Sequence, residues 1–133
     1  MDLFDLSGHV SIVTGGNRGI GFGLARGLAQ ANASVAIWAR DLAKADEAVE
    51  RLDGIGKGEV VAVGCDVSDE RSVGDALEAT VDRLGKVDSV FANAGVTSGV
   101  TFPDMELSEL EHVFEVNVAG VFLVAREGAR HLI

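Results

Sequence analysis

The strongest chemical signal in the chain is the run Thr14-Gly15-Gly16-Asn17-Arg18-Gly19-Ile20-Gly21. Glycine at these spacings opens backbone angles closed to other residues and lets main-chain N–H groups approach a ligand with no Cβ in the way. A helix starting near Gly19 would point its unpaired N–H groups, and the positive end of its dipole, at the same spot. The chemistry implied is capture of a diphosphate, as in a dinucleotide; the alternative is a plain structural turn. Context separates the two. A β-branched run, His-Val-Ser-Ile-Val-Thr at 9–14, precedes the glycines, a helical pattern follows, and a second strand ends about 20 residues further on.

Two cations stand near the elements that would hold a dinucleotide. An acid at the end of the second strand would hydrogen-bond both ribose hydroxyls and repel a 2′-phosphate. This chain has Ala39 there, followed by Arg40, and it carries Arg18 inside the glycine turn. Two guanidiniums near one pocket bind a phosphate through charge-assisted hydrogen bonds, each worth about 1.5–3 kcal/mol. NADP is therefore expected over NAD, with Asp41 as the counter-argument, an acid able to turn toward the ribose.

Three polar residues stand on later elements, two of them at strand ends. Asp66 leaves the third strand just before Ser68-Asp69, and spacing alone leaves it evenly between a turn and an adenine contact. Asn93 is either a turn residue tolerating a left-handed backbone or a site residue, and its place at the carboxyl end of a strand favours the site. Asn117 lies on a stripe, Leu110, Phe114, Asn117, Val121 and Val124, expected to face the core. A buried amide there needs partners or costs about 1–3 kcal/mol. Cys65 reads as a small buried hydrophobe, Trp38 as packing, and His9, His112 and His131 as surface residues; no metal site is expected.

The elements that must position these groups follow from periodicity. Strands are predicted over 9–14, 34–39, 59–64 and 87–92. Between them run helical stripes: Ile20, Leu24, Leu28; then Leu42, Ala45, Val49, Leu52, closed by Asp53-Gly54; then Val73, Leu77, Val81, Leu84, stopped by Gly85. Residues 95–107 read as a loop, and Ser108 with Glu111 forms a capping box from which a helix is predicted to run to Ile133. Strands alternating with helices imply parallel pairing, right-handed crossovers and helices on both faces of the sheet. The fold class expected is α/β: a Rossmann-like, doubly wound parallel sheet, truncated after four strands and the long helix that follows. Residues 1–133 are expected to form a single, incomplete dinucleotide-binding domain.

Composition narrows the function. The 133 residues hold 11 basic and 21 acidic side chains, a net charge of −10 that repels a phosphate backbone and argues against nucleic-acid partners. Aromatic residues make up 5% and hydrophobic residues 47%, so the core must be aliphatic. The lone Cys65 excludes an internal disulfide. The opening Met-Asp-Leu-Phe-Asp-Leu, with two acids and no base, is unlike a signal peptide. The longest apolar stretch, Val116 to Ala125, is too short to span a bilayer. A soluble cytoplasmic protein with no membrane partner is expected.

Thr14-Gly-x-x-x-Gly-Ile-Gly21 resembles the cofactor motif of the short-chain dehydrogenase/reductase family, of the classical type. Cys65-Asp66-Val67, Asn93-Ala94-Gly95 and Val116-Asn117-Val118 resemble three further motifs in the family's order, and Arg40 closes the second strand. Ala92 departs from the pattern, which often has an asparagine there. The resemblance implies a nicotinamide cofactor held by Thr14, Gly15, Asn17, Arg18, Gly19, Ile20, Gly21, Arg40, Asp66, Val67, Asn93, Ala94 and Gly95. It implies that Asp66 bonds the adenine and that Asn117 belongs to the catalytic set, holding a water and a main-chain group in a proton relay.

The resemblance also implies an oxidoreductase acting on a small alcohol or carbonyl, with 3-oxoacyl thioesters suggested by Asn17-Arg-Gly-Ile-Gly21. In that family a tyrosine exchanges the substrate proton, a lysine lowers its pKa and a serine orients the carbonyl; an unperturbed phenol has a pKa of about 10. This chain has no tyrosine, so it is expected to be the cofactor-binding part and inactive alone. Its fourth strand would keep an open edge. Its last helix, with Val118, Val121, Phe122, Leu123 and Val124, would expose apolar surface and drive self-association into a homo-oligomer. The competing reading is a non-catalytic module that binds NADP and signals by associating. A third, a purely structural fragment, would bind neither cofactor.

Overall fold

A computed structural model describes residues 3–133; Met1 and Asp2, which enter the reading of the amino terminus, lie outside the described residues. Four apolar runs form β1 (Val10–Thr14), β2 (Ser34–Ala39), β3 (Val60–Gly64) and β4 (Ser89–Phe91). They pair in parallel in the order β3-β2-β1-β4, with Ile12 of β1 opposite Ala36 of β2 on one side and Val90 of β4 on the other. Every residue of β1 is buried. That continuous burial is what a parallel strand covered on both faces requires, and it explains why the run does not alternate. β4 is shorter than the predicted 87–92, because the amides of Asn93 and Ala94 bond the Thr14 hydroxyl instead of extending the ladder.

The helices are α1 (Gly19–Gln30), α2 (Leu42–Leu52), α3 (Glu70–Leu84), α4 (Leu107–Phe114) and α5 (Val121–Leu132), with a short 3-10 turn at Phe102–Asp104. α1 and α2 cover one face of the sheet, packing Ala25, Ala29, Ala45, Ala48 and Leu52 on Val13, Val35 and Ile37. α3 and α5 cover the other, packing Val73, Ala76 and Val124 on Ile12, Ala36 and Trp38. Trp38 is a core residue whose indole donates to the Thr80 hydroxyl (2.9 Å), which in turn donates to the Ala76 carbonyl (2.8 Å).

Several predicted faces are displaced. In α1 the buried line is Gly21, Ala25, Ala29, one residue along from Ile20, Leu24, Leu28. Ile20 is 80% exposed and the two leucines flank the contact. The helix lies close on the strands, so small side chains face them and large ones sit at the sides. α2 follows this rule in part: Ala45 and Ala48 are buried and Leu42 is exposed, but Leu52 at the end of the helix is buried as well, so Ala45 and Leu52 of the predicted stripe keep their place. The capping box does not form: α4 starts at Leu107 with Glu106 as its N-cap, which leaves Ser108 inside the first turn, where it lacks the extended backbone a cap needs.

The chain stays helical from Leu107 to Leu132, but a π-helical turn at Glu115–Gly120 joins α4 to α5 and resets the facing residues. The buried line becomes Val116, Gly120, Val124, Gly128. Of the predicted stripe only Val124 is buried; Leu110, Phe114, Asn117 and Val121 are exposed. The expectation of an apolar outer surface holds for Val118, Val121 and Phe122, while Leu123 is half-buried. No helix among the described residues is long and apolar enough to cross a membrane.

Candidate functional site

From β1 the chain steps outward to β2 and β3, then returns to the other side of β1 as β4. At the carboxyl ends of β1 and β4 this reversal opens a crevice, the place where open α/β sheets bind ligands. The cavity there measures about 720 Å³, within the range of cofactor sites. Its wall is made of the glycine turn, the ends of β2 and β3, and the exit of β4.

The glycine turn is built as its sequence demands. Gly15 (φ +64°) and Gly19 (φ +54°) take left-handed backbone angles that side chains disfavour. Gly21 serves close approach: a Cβ on it would lie 2.2 Å from the Gly15 carbonyl oxygen and 2.5 Å from Asn93 Nδ2. The first bond of the helical ladder runs from Phe22 N to Arg18 O (3.1 Å), so the amides of Gly19, Ile20 and Gly21 lie ahead of it at the positive end of α1. Asn17, Arg18, Gly19, Ile20 and Gly21 all border the cavity. Bare amides, a helix N-terminus and no room for a side chain fit an anionic diphosphate.

Thr14 is placed differently from a ligand-contacting residue. It is buried behind the cavity wall, and its hydroxyl accepts from Asn93 N and Ala94 N (both 2.9 Å). Asn93 Nδ2 returns a bond to the Thr14 carbonyl (3.1 Å). These bonds tie the end of β1 to the exit of β4, so Asn93, Ala94 and Gly95 line the crevice in a fixed position. Ala92, the departure from the family pattern, packs half-buried against the core.

Asp66 serves as a turn and also faces the cavity, with Val67 beside it. Its Oδ1 accepts from the Ser68 hydroxyl (2.7 Å) and amide (3.0 Å). Those side-chain and backbone bonds hold the carboxyl below the usual carboxylate range against the opposing effect of burial, with the charges of Arg40 and His112 adding to the shift. Cys65 also borders the cavity, but burial pushes its thiol up to about 12 and the charges of Asp66 and Asp69 push the same way, which keeps it from being a nucleophile.

Arg18 and Arg40 are both exposed and border the same cavity. Asp41 is the N-cap of α2: its Oδ1 accepts from Lys44 N (3.2 Å) and its Oδ2 lies 3.7 Å from Lys44 Nζ. Asn117 does not lie on the core-facing stripe predicted for it. It is exposed, its Oδ1 accepts from Val96 N and its Nδ2 donates to Val96 O, both at 2.8 Å. The π-helical turn points it at this loop, so its partners are a main-chain amide and carbonyl of the segment after β4.

Lys44 and Val96 line the cavity without entering the sequence reading; Val116 enters it as a neighbour of Asn117, and Trp38 and Cys65, read as packing, border the cavity too. Lys44 sits one turn beyond Arg40, a spacing that carries a signal once the start of α2 is known. Nothing in the sequence marks Val96.

The sequence model of the short chain dehydrogenase family matches residues 9–133. Versicolorin reductase 1 of Dothistroma septosporum is 37% identical over 99% of this chain and 50% of its own length. A Pseudomonas aeruginosa structure, the RhlG/NADP active-site complex, superposes with a TM-score of 0.90 at 32% identity, covering 99% of this chain and 51% of that one. The 3-ketoacyl-(acyl-carrier-protein) reductase of Brucella melitensis, complexed with NADH, gives a TM-score of 0.86 at 34% identity over 95% and 50%. The chain thus spans about half the length of the curated relatives it matches. With glycine turn, strand order and family match in agreement over nearly its whole length, the chain belongs to the short chain dehydrogenase family.

Proposed function

We propose that this chain is the cofactor-holding part of an oxidoreductase that moves hydride between a nicotinamide cofactor and an alcohol or carbonyl substrate, with NADP preferred to NAD. The observation that carries the preference is the pairing of Arg18 and Arg40 on one cavity, with Asp41 engaged as a helix cap. When bound, the cofactor supplies the ring that gives or takes the hydride. The amides of Gly19, Ile20 and Gly21 receive its diphosphate, and Arg18 and Arg40 receive the 2′-phosphate. Asp66, kept ionised by Ser68, accepts from the adenine amino group beside Val67. Ala94 and Gly95 form the wall along which the cofactor extends, and Asn117 fixes that wall by gripping Val96.

The substrate class proposed includes 3-oxoacyl thioesters, on the likeness of Asn17-Arg-Gly-Ile-Gly21 to reductases of that type and on the name of the Brucella relative. With no tyrosine in the chain, the group that gives or takes the proton accompanying hydride transfer is lacking, and the 133 residues alone are expected to turn over neither alcohol nor carbonyl. Work in the cytoplasm is proposed on the lone Cys65, a free buried thiol that suits a reducing compartment.

Arg40→Ala tests the cofactor reading. NADPH affinity is expected to fall at least tenfold, about 1.4 kcal/mol, while NADH affinity stays within about twofold. Equal losses for both cofactors would refute the phosphate role.

The exposed face of Phe114, Val118 and Phe122, which lines a groove of about 610 Å³, favours a homo-oligomer as well. Sedimentation at tens of micromolar is expected to show concentration-dependent association. A monodisperse monomer would count against it.

A further inference from the structure

Lys44 stands where its own helix disfavours a cation, its ion-pair partner being the N-cap Asp41 at 3.7 Å. It is the third residue of α2, inside the first turn, and no acid accompanies it there. A cation in that position faces the positive end of the helix dipole, which costs stability instead of adding to it. Yet Lys44 borders the cavity together with Arg18 and Arg40, so three of the chain's 11 basic side chains gather on one crevice of a protein whose net charge is −10. The one acid between them in sequence, Asp41, lies on the cavity too, with its carboxylate held at the N-cap and facing the lysine ammonium at 3.7 Å.

We propose that the Asp41–Lys44 pair sets the chain's discrimination for a 2′-phosphorylated nucleotide. Lys44 offsets the charge of Asp41 at the cavity edge and offers a third cation, next to Arg40, to a phosphate on the adenosine ribose. The first turn of α2 then contributes in the same direction, because the dipole that disfavours Lys44 attracts the phosphate. This rests on the reading of the cavity as a nicotinamide dinucleotide site. It adds a residue whose role is specificity: Lys44 acts on the 2′-phosphate and on nothing else in the nucleotide. Both side chains are at least half exposed, so the effect is moderate and weakens with salt.

Calorimetric titration with adenosine 2′,5′-bisphosphate and with adenosine 5′-monophosphate, which differ by the phosphate in question, tests the assignment. K44A is expected to weaken the bisphosphate by about threefold to tenfold at low salt, to leave the monophosphate unchanged and to flatten the salt dependence. K44R should retain the wild-type preference. D41N keeps the cap, since Asn caps helices about as well as Asp, but removes the charge; it is expected to tighten the bisphosphate and leave the monophosphate alone. A wild-type preference for the bisphosphate that K44A leaves intact, or that D41N diminishes, overturns the role of the pair while sparing the reading of Arg40. A wild-type chain that binds the two nucleotides equally overturns the phosphate site as a whole.

Discussion

Replacing Gly21 by alanine is expected to abolish binding of either nicotinamide dinucleotide, a loss of about a hundredfold or more, equivalent to some 2.7 kcal/mol. The added Cβ would fall 2.2 Å from the Gly15 carbonyl oxygen and 2.8 Å from its carbon. Those are backbone atoms, and backbone cannot swing aside as a flexible side chain can. Gly15 is itself fixed at φ +64° and bonded through its amide to the Trp38 carbonyl (2.8 Å). Relief of the clash must therefore come from moving the start of α1 away from the turn, which takes the amides of Gly19 and Ile20 out of position. The loss should fall on NADPH and NADH alike, unlike that of Arg40→Ala. Calorimetry with both cofactors makes the comparison, and an alanine variant that binds within about twofold of wild type would show that the turn does not hold the diphosphate.

Gly58→Ala is expected to produce the opposite pattern, a large loss of stability with the cavity residues untouched. A Cβ on Gly58 would sit 2.1 Å from the Ala33 carbonyl oxygen and 2.5 Å from Ser34 N. The segment between α2 and β3 crosses the start of β2 at this point, held by bonds from Lys57 N to Asn32 Oδ1 (3.2 Å), Glu59 N to Ser34 Oγ (3.1 Å) and Val35 N to the Glu59 carbonyl (2.8 Å). Opening that contact should cost about 3 kcal/mol or more and lower the melting midpoint by roughly 10 °C. Thermal unfolding followed by circular dichroism measures it; an unchanged midpoint would mean that the loop is not pressed on β2.

The two glycines also mark the boundary of what a sequence discloses. Gly21 was legible because its requirement is local: strand, turn and helix follow one another in the chain, and the glycine spacing is a property of that turn. Gly58 was not, because its partner is the backbone of Ala33, 25 residues earlier, and only the packed structure brings them together. The same division runs through the helices. The periodic large residues Ile20, Leu24 and Leu28 gave the right helix but the wrong face, since close packing on a parallel sheet selects Gly21, Ala25 and Ala29. The order of strands and helices rests on local patterns and was readable as far as β4; beyond it the single predicted helix is divided by the π-helical turn.

Asn117 shows the limit most clearly. A uniform helical period put it on a buried stripe, whereas the π-helical turn at Glu115–Gly120 shifts the phase and hands its amide to Val96. A helix of constant period cannot announce such an insertion. Asp41 is a milder case: an acid after the second strand is able to turn toward the ribose, and only its bond to Lys44 N identifies it as a cap. Thr14, read as a cofactor contact, turned out to fasten Asn93 and Ala94 from behind the wall.

The most direct test is to titrate isotopically labelled protein with NADPH and to follow each backbone amide by NMR. Diphosphate capture at the start of α1 predicts that the largest and saturable shifts fall on Gly19, Ile20 and Gly21, with smaller ones along Asn93 to Gly95. Saturation at millimolar cofactor with those three amides unmoved would contradict it, as would a spectrum that NADPH and NADH both leave unchanged.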